Sequence, residues 1–477
     1  MSNTTDTLAR QRLLRLLDEK SFMEIGSQVT ARSTDFNLGQ TDTPSDGVIT
    51  GYGLIDGNLV YVYSQDAAVL NGTVGEMHSR KITAVYDMAM KMGAPVIGFI
   101  DCAGIRLQES VDALEAMGAI YARQTMASGV IPQICAVFGS CGGGLTVIPA
   151  LSDFTYMEKN GKLFVNSPNA IPGNTKEKCD TSSAEYQSSN SGVVDAIGTE
   201  DEIISQIREL VCLLPQNNLE GGCASECNDD LNRVCEGIAG MKGDTRLLLA
   251  TISDENVFVE TKKDYAPDMV TGFIKLNGMT IGAVANCTEH YDEEGNKTAE
   301  YEAALTAGGC NKAAEFVSFC DAFEIPVLTL TNTEGLKASM CSEKGLARAM
   351  ARMTRTFADA TVPKVNILIG NAYGSAYVVM NSKSIGADLV YAWDTAKVGM
   401  MDAKLAASIM YEQESADVIA EKAKEYDALQ SNVLTAARRG YVDLVIAPEN
   451  TRKYAVAAFE MLYTKRVEEP MKKHGAK

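Results

Sequence analysis

The chain has 477 residues, of which 46% are hydrophobic and 22% charged, so it is globular in composition and long enough for two domains. Its formal net charge of -19 argues against nucleic acid and anionic membrane surfaces as partners, because both would be repelled. The polar residues 1–10 and the lack of a long apolar run predict a cytoplasmic protein without a secretory signal or membrane span. Twelve scattered cysteines fit a reducing compartment. Cys223, Cys227 and Cys235 have only a loosely metal-like spacing without a nearby histidine, so we expect no metal site.

The sequence contains one pattern twice. Lys81 begins a helical stretch that ends at Pro95 before an apolar run, and Lys312 begins a similar stretch that ends at Pro326. Positions 81 and 312 differ by 231, and the same offset relates Gly104 to Gly335, Pro132 to Pro363, Gly139 to Gly370 and Gly143 to Gly374. Upstream the offset is 221, as between residues 51 and 272, which places an insertion at residues 291–300. Repeated spacing of this kind predicts two homologous domains, 1–230 and 244–477, connected through residues 215–243.

Each copy predicts the same elements in the same order. A strand precedes an amphipathic helix, in which apolar residues such as Ile82, Val85 and Met88 recur every three to four positions. A short buried strand, a glycine turn, a long helix, a second buried strand and a turn of small residues follow. The corresponding segments are the strands 59–64 and 279–285, the strands 133–138 and 364–369, and the turns 140–144 and 371–375. Repeated strand–turn–helix units indicate an α/β fold with helices packed on sheets.

The paired glycine turns are candidates for binding a developing negative charge. A glycine turn between a strand and a helix leaves backbone N–H groups unpaired and lets a ligand approach the main chain. Two such turns after neighbouring strands can direct two N–H groups at one carbonyl oxygen, which is the arrangement of an oxyanion hole. Two alternatives stay open: a nucleotide phosphate loop, although no G-x-x-x-x-G-K-[ST] occurs, and glycines that only permit close packing.

Side chains that usually carry acid–base or nucleophilic chemistry are scarce. The three histidines are His78, His290 and His474, and the sequence contains neither G-x-S-x-G nor H-E-x-x-H. The carboxylates at Asp101 and Glu109 form no obvious catalytic pair. Any reaction is therefore expected to depend on polarisation by backbone amides.

Several motifs resemble those of one enzyme family. The segment D-C-A-G-I-R-L-Q-E at 101–109 is similar to the family's D-S-G-G-A-R-I-Q-E turn, and C-G-G at 141–143 with P-A-L-S-D-F at 149–154 is similar to its C-A-G-G and P-A-L-T-D-F. Further likeness lies in residues 63–66, 72–82, 316–326, 372–377, 386–388 and 392–393. Together these segments resemble the carboxyltransferase subunits of biotin-dependent acyl-CoA carboxylases and decarboxylases, the propionyl-CoA/methylmalonyl-CoA carboxyltransferase family, over residues 45–465.

The resemblance implies two tandem crotonase-like domains of the ββα spiral type, with acyl-CoA bound by the first domain and biotin by the second. It implies that N–H groups near Gly104, Ile105, Gly142 and Gly143 hold the thioester enolate, and those near Gly335, Gly374 and Ser375 the ureido oxygen of biotin. Biotin contacts are implied for Ala372, Tyr373, Ala376 and Tyr377. Biotin itself supplies the base that the chain lacks.

The implied partners are a separate biotin carboxyl carrier protein with a biotin carboxylase, or the membrane subunit of a sodium-pumping decarboxylase. A homo-oligomer, dimer or hexamer, is also implied, with active sites where the first domain of one subunit meets the second domain of another. The direction of carboxyl transfer stays open, because partner subunits decide it.

Some positions depart from the family's pattern. Ile105 stands where the family has alanine, Cys102 and Ala103 replace serine and glycine, and Glu334 replaces a proline before Gly335. Residues 166–191 lack most of the acidic, glycine-containing stretch that covers the CoA pocket. These departures leave a second hypothesis, a catalytically degraded paralogue that acts as an assembly partner.

Four further residues have competing interpretations. The A-M-K-M sequence around Lys91 matches a biotin-attachment signature, but it falls at the end of a predicted helix rather than on a hairpin, so we expect a solvated helix residue. Arg80 and Lys81 are expected either to contact CoA phosphates or to be solvated residues at a helix start. His78 is expected to be a structural partner at a helix cap.

Overall fold

A computed structural model divides the chain into two compact units, 1–221 and 222–477. It describes residues 7–32, 36, 38–39, 41–221 and 225–468. Residues 225–243, part of the predicted connection, belong to the second unit.

The first unit is built on an eight-stranded sheet in the order β1-β2-β3-β4-β5-β6-β8, with β7 paired to β5. The strands are β1 (Met23–Ile25), β2 (Val48–Ile55), β3 (Asn58–Gln65), β4 (Val96–Cys102), β5 (Gln133–Gly142), β6 (Phe154–Glu158), β7 (Lys162–Phe164) and β8 (Ala196–Gly198). The helices are α1 (Leu8–Leu16), α2 (Glu76–Met92), α3 (Val111–Ala127), α4 (Val147–Leu151), α5 (Pro172–Glu177), α6 (Ala184–Tyr186) and α7 (Glu200–Leu213). The first three strands are antiparallel, and the strands from β3 onward are parallel.

The second unit has an eight-stranded sheet in the order β20-β18-β17-β15-β11-β10-β9, with β19 paired to β17, and two small sheets, β12-β13 and β14-β16. Its strands are β9 (Phe258–Thr261), β10 (Met269–Leu276), β11 (Met279–Asn286), β12 (Glu289–Tyr291), β13 (Lys297–Glu300), β14 (Ala304–Leu305), β15 (Val327–Thr333), β16 (Gly335–Leu336), β17 (Lys364–Tyr373), β18 (Leu389–Trp393), β19 (Lys397–Gly399) and β20 (Leu444–Ile446). Its helices are α8 (Thr245–Ile252), α9 (Ala307–Ala322), α10 (Met340–Glu343), α11 (Leu346–Asp359), α12 (Gly374–Val379), α13 (Ala403–Met410), α14 (Ala416–Tyr426), α15 (Val433–Arg438) and α16 (Thr451–Leu462).

The two units repeat each other down to the register of their strands, which confirms the predicted duplication of an α/β fold. Val96 of β4 lies opposite Gln133 of β5, and Val327 of β15 lies opposite Lys364 of β17, so both partners keep the offset of 231. In both units an antiparallel pair continues into parallel strands. The central strands are buried on both faces, as expected for parallel strands covered by helices.

Two strands are longer than the sequence pattern predicts. The predicted strands at 133–138 and 364–369 continue as β5 to Gly142 and as β17 to Tyr373, so most of each predicted small-residue turn is strand. The reason is tertiary: β7 pairs with residues 140–142 and β19 with residues 371–373, which supplies hydrogen bonds that a local turn would not have.

The predicted insertion at residues 291–300 contributes to a hairpin formed by β12 and β13. At the corresponding place after β3, the first unit has a short 3-10 helix, Leu70–Gly72. The hairpin is therefore an addition to the second unit.

Lys91 lies in the last turn of α2 and is exposed, with Ala89 buried and Gly93 ending the helix in a left-handed conformation at φ 63. The hypothesis of a solvated helix residue, rather than a biotin-bearing hairpin tip, is confirmed. Biotin attachment needs a lysine on a protruding hairpin, and here Lys91 is part of a regular helix.

Lys81 is buried, which corrects both interpretations of this residue. Its Nζ donates hydrogen bonds to the carbonyl oxygens of Ser45 (3.0 Å) and Val48, so it neither faces solvent nor reaches a phosphate. Lys312, its counterpart at the same offset, is also buried, and its Nζ donates to the carbonyl oxygen of Tyr265 at 2.9 Å. In each unit, therefore, a buried lysine near the start of the helix that follows the antiparallel strand pair donates to main-chain carbonyl oxygens.

Within the described parts of the chain, every helix is too short or too polar to cross a membrane. The Sγ of Cys227 lies near the carbonyl oxygen of Asp229, and Cys235 is buried. Cys223 lies outside the described residues.

We expect Gly98→Ala to destabilise the first unit. A Cβ at Gly98 would overlap the buried ring of Tyr63 on the neighbouring strand, and an overpacked core site typically loses about 1–3 kcal/mol. Gly118→Ala is the matched control, because a Cβ there meets open space within α3 and alanine favours a helix by about 0.5–1 kcal/mol. Thermal unfolding should show a lower Tm for Gly98→Ala only; equal Tm values would contradict this packing.

The buried ammonium of Lys81 predicts a pH-dependent stability. Burial lowers the pKa of Lys81 from 10.5 to about 8, so between these values the unfolded chain binds a proton that the native chain does not. The free energy of unfolding of the wild type minus that of Lys81→Met should rise across this window, by up to about 3 kcal/mol. Urea titrations at several pH values measure the difference. Arg80→Met, which removes the exposed neighbouring cation, should give a flat difference; a flat or falling curve for Lys81→Met would contradict the prediction.

Candidate active site

The turn after β4 leaves one backbone donor free. Gly104 has φ 132, its carbonyl oxygen accepts from the N–H of Val74 at 3.0 Å, and the N–H of Arg106 donates to the carbonyl oxygen of Val74 at 2.9 Å. Ile105 lies between these two ladder positions, and its N–H has no acceptor among the described residues. Because successive amides along such a ladder point in opposite directions, the N–H of Ile105 points away from Val74.

The turn after β5 lies beside the first one. Cys141 of β5 is opposite Cys102 of β4, so the chain leaves both strands at the same edge of the sheet. Gly143 follows with φ 64 and opens the 3-10 helix Gly143–Thr146. A Cβ at Gly104 or Gly143 would meet nothing within 4 Å, so the space over both backbones is open.

Gly142 differs from its neighbours. It is buried in β5, and a Cβ there would lie 2.9 Å from the ring of Phe164. The accessible residues of this turn are Gly143 and Gly144, the latter exposed. Of the two donors predicted for this turn, Gly143 is at the open surface and Gly142 is covered by the aromatic ring.

The second unit repeats this arrangement. Glu334 donates its N–H to the carbonyl oxygen of Ala303 at 2.7 Å, and Lys337 donates to that of Leu305 at 2.9 Å. Gly335 lies under open space, and Gly374 has φ 62 at the start of α12. Thr333 is opposite Ala372, as Cys102 is opposite Cys141, so these two turns also share one sheet edge.

Leu336 is a candidate site residue that the glycine pattern of the sequence does not indicate. It occupies the position of Ile105 at an offset of 231, between the ladder residues Gly335 and Lys337. Because successive amides along a parallel ladder point in opposite directions, the N–H of Leu336 points away from β14. The signal in the sequence that identifies it is its offset of 231 from Ile105.

The predicted biotin-side residues lie around the N-terminus of α12. Ala372, Tyr373 and Ala376 are buried, Tyr377 is partly buried and Ser375 is exposed. Ala372 and Ala376 are fully buried, so neither presents a surface to a ligand in this structure. In the first unit, residues 141, 142 and 145 are buried and residue 144 is exposed, which is the same pattern.

Glu334, the acidic departure beside Gly335, is exposed. Its Oε1 accepts a hydrogen bond of 2.8 Å from Nδ2 of Asn371 in β17. The carboxylate is thereby tied to the neighbouring strand.

A buried ionic cluster holds the first turn. The guanidinium of Arg106 is fully buried, and its Nη1 lies 2.6 Å from Oδ1 of Asp46 and 2.7 Å from Oε1 of Glu109. Its Nη2 donates to the carbonyl oxygen of Thr73 at 2.8 Å. Burial raises the pKa of Asp46 despite the adjacent guanidinium. We call Asp46, Arg106 and Glu109 the arginine cluster.

His78 connects the arginine cluster to the other end of the turn. Its Nδ1 lies 2.9 Å from the carbonyl oxygen of Asp46, and its Nε2 lies 3.1 Å from Nε2 of Gln65, whose Oε1 accepts from the N–H of Asp101 at 3.2 Å. Burial lowers the pKa of His78 to about 3, so it is neutral at physiological pH. The expected structural role of His78 is confirmed.

The side chains at the first turn offer neither a nucleophile nor a titrating base at neutral pH. Burial raises the pKa of Cys102 to about 12, so its thiol stays protonated. Arg80 is exposed on α2 and pairs with Glu76 at 2.6 Å.

The chemistry open to the four turns is the stabilisation of negative charge on an oxygen. Such an oxygen would lie above Ile105 and Gly143 in the first unit, or above Leu336 and Gly374 in the second.

Comparison with known proteins gives a consistent result. The family described as carboxyl transferase domain matches residues 3–476. The propionyl-CoA carboxylase beta chain of Roseobacter denitrificans is 40% identical over 481 residues, which cover 98% of this chain and 92% of that protein. The methylmalonyl-CoA decarboxylase subunit alpha of Propionigenium modestum is 38% identical over 486 residues, with 98% and 92% covered.

Solved structures agree with the sequence matches. Transcarboxylase 12S, a hexamer crystallised with hydrolysed methylmalonyl-CoA bound, superposes with a TM-score of 0.90 at 36% identity, and the match covers 98% of this chain and 92% of that one. With this match the predicted pair of crotonase-like domains is confirmed. The chain belongs to the carboxyl transferase family and is a carboxyltransferase.

Proposed function

We propose that the chain moves a carboxyl group between biotin and an acyl-CoA thioester. The observation that carries the proposal is the duplicated pair of turns, each with a backbone N–H beside an open glycine, in a chain of the carboxyl transferase family. Two such pairs match the two carbonyl oxygens that the reaction must polarise, one on the thioester and one on the ureido ring.

The first unit is the proposed acyl-CoA side. Ile105 and Gly143 supply N–H groups that stabilise the thioester enolate, with Gly104 leaving room for the substrate above the backbone. Stabilising the enolate lowers the barrier to removing the α-proton, which no side chain of this turn is placed to take. Arg80, exposed on α2, is the cation we assign to the CoA phosphates.

The second unit is the proposed biotin side, and its residues fit that group. Leu336, Gly374 and Ser375 offer N–H groups beside the open face of Gly335, and Tyr377 borders the same helix start. Biotin, when bound, supplies the carboxyl group and a basic ureido nitrogen. The N–H groups of this unit hold the ureido oxygen and fix the ring's orientation, while the buried Ala372, Tyr373 and Ala376 form the floor beneath them.

Propionyl-CoA and methylmalonyl-CoA are the proposed acceptor and donor. They are the substrates that the names of the relatives print, and methylmalonyl-CoA is bound in the matched transcarboxylase structures. We place the chain in a carboxylase, with carboxylation as the physiological direction. The decarboxylase relative, at 38% identity, keeps the reverse direction as the second candidate.

The proposed partners are a biotin carboxyl carrier protein and a biotin carboxylase. A separate carrier is needed because Lys91 is part of a helix. We also propose a homo-oligomer, by analogy with the transcarboxylase 12S hexamer, and a cytoplasmic location, which the free thiols of the described cysteines support.

The proposed activity predicts transfer of label to free biotin. Purified protein incubated with carboxyl-labelled methylmalonyl-CoA should label free biotin, and propionyl-CoA should be carboxylated in turn. Malonyl-CoA is expected to donate more slowly. Reactions without biotin or without protein are the controls. Absence of transfer with every acyl-CoA tested would favour the degraded paralogue that serves only in assembly.

The N–H of Ile105 is open to a direct test. Ile105→Pro removes this donor, and losing one oxyanion-hole donor lowers kcat by roughly 10²–10³-fold. Ile105→Ala keeps the N–H and is the matched control, for which kcat should stay within a few-fold of the wild type. Steady-state rates of the biotin-dependent transfer measure both. Similar kcat values for the two variants would show that this amide does not stabilise the enolate.

A further inference from the structure

We infer that Arg106 is a positioning residue for the thioester: the ladder to Val74 sets the direction of the N–H of Ile105, and the arginine cluster restrains the turn that carries it. The inference rests on the proposed function and explains how the N–H of Ile105 is kept in one orientation at the first turn. Arg106 itself is fully buried and contacts no substrate.

Burying the arginine cluster costs desolvation free energy. We therefore infer that the cluster has a role besides stabilising the fold. Three ionisable side chains are buried together, and one guanidinium nitrogen lies between two carboxylates. Burying such groups typically gives no net stability compared with apolar residues of similar size. One nitrogen of the guanidinium, Nε, is buried without a partner.

The second unit shows that the turn forms without such a cluster. At the offset of 231, Arg106 corresponds to Lys337, whose side chain is exposed and pairs with Glu302. The ladder bonds are nevertheless the same, since Lys337 donates to Leu305 as Arg106 donates to Val74. The fold therefore requires the ladder, and the arginine cluster is specific to the first turn.

In both units a side-chain oxygen also holds the backbone at the end of the strand before the turn. The side-chain oxygen of Gln65 accepts from the N–H of Asp101, and in the second unit Oδ1 of Asn286 accepts from the N–H of Asn332 at 3.0 Å. Both turns are thus held where the strand ends. Only in the first is the far side, beyond the free amide, also held by a buried side-chain cluster.

The far side is tied by several bonds at once. The side chain of Arg106 is anchored to Asp46, Glu109 and the carbonyl oxygen of Thr73. Glu109 also accepts from the N–H of Glu76 at 2.5 Å, which connects the turn to the start of α2. The carbonyl oxygen of the peptide bond that carries the Ile105 N–H accepts from Val74, and the arginine cluster holds the next residue, Arg106, so rotation of this peptide is opposed from both sides. A preorganised donor of this kind needs no reorganisation when charge develops on the thioester oxygen.

Arg106→Lys tests the inference, because it keeps the charge and loses the second nitrogen that reaches Thr73. We expect kcat to fall by about 10²-fold while the KM for acyl-CoA changes by no more than a few-fold, as for the loss of a transition-state interaction. Glu109→Gln is the milder second variant, with a smaller fall in kcat. The infrared carbonyl band of a bound thioester labelled with ¹³C should shift toward its position in free solution in both variants.

Arg452→Lys is the matched control. Arg452 is also fully buried, with Nη2 at 2.6 Å from Oδ1 of Asp254 and Nη1 donating to the carbonyl oxygen of Ile252, but it contacts no described residue of the four turns. It should lower Tm while kcat per folded molecule and the carbonyl band stay unchanged. If Arg106→Lys and Glu109→Gln behave like Arg452→Lys while the wild type is active, Arg106 is structural only. If the wild type transfers no label and leaves the thioester band at its free position, the proposed function fails, and the inference with it.

Discussion

Short parallel ladders between Val74 and the turn after β4, and between Leu305 and the turn after β15, decide which amides are left for a ligand. In each ladder the residues on either side of the central one bond to the partner segment, so the central amide must face the other way. The free amide of each unit therefore follows from the hydrogen bonds that its neighbours make. The residues at the central position are Ile105 in the first unit and Leu336 in the second.

Glycines act around these ladders for two different physical reasons. Gly143 and Gly374 both have positive φ; the space above Gly143 is open, whereas a Cβ at Gly374 would lie 3.1 Å from the carbonyl oxygen of Met400. Gly139 and Gly370 are needed for packing, because a Cβ at either would overlap the side chain of Asp101 or Asn332. These close approaches hold the two turns of each unit side by side. Binding and packing glycines look alike in sequence, and only their surroundings separate them.

The two units have kept this framework while diverging around it. The first turn is supported by a buried ionic cluster, whereas the second has an exposed ion pair and a surface carboxylate bonded to Asn371. The second unit also carries the β12–β13 hairpin. Buried charged contacts thus restrain the first turn, whereas the contacts at the second turn lie at the surface.

The sequence by itself determined the duplication, the α/β class, the order of elements and the edge where the turns lie, because a repeat offset and apolar periodicity are local properties of the chain. It also identified Gly104, Gly143 and Gly335, over which the fold leaves open space, and Gly374, which begins α12. Tertiary structure alone decided the rest. The sequence predicts a solvated Lys81, but in the structure its ammonium binds the carbonyl oxygens of Ser45 and Val48. Gly142 and Gly143 look equivalent in sequence, but only Gly142 is covered by Phe164. The strands β5 and β17 extend because β7 and β19 pair with them, and the partner of Arg106 lies 60 residues away at Asp46. Each of these depends on contacts between distant segments, for which a single sequence carries no periodic signal.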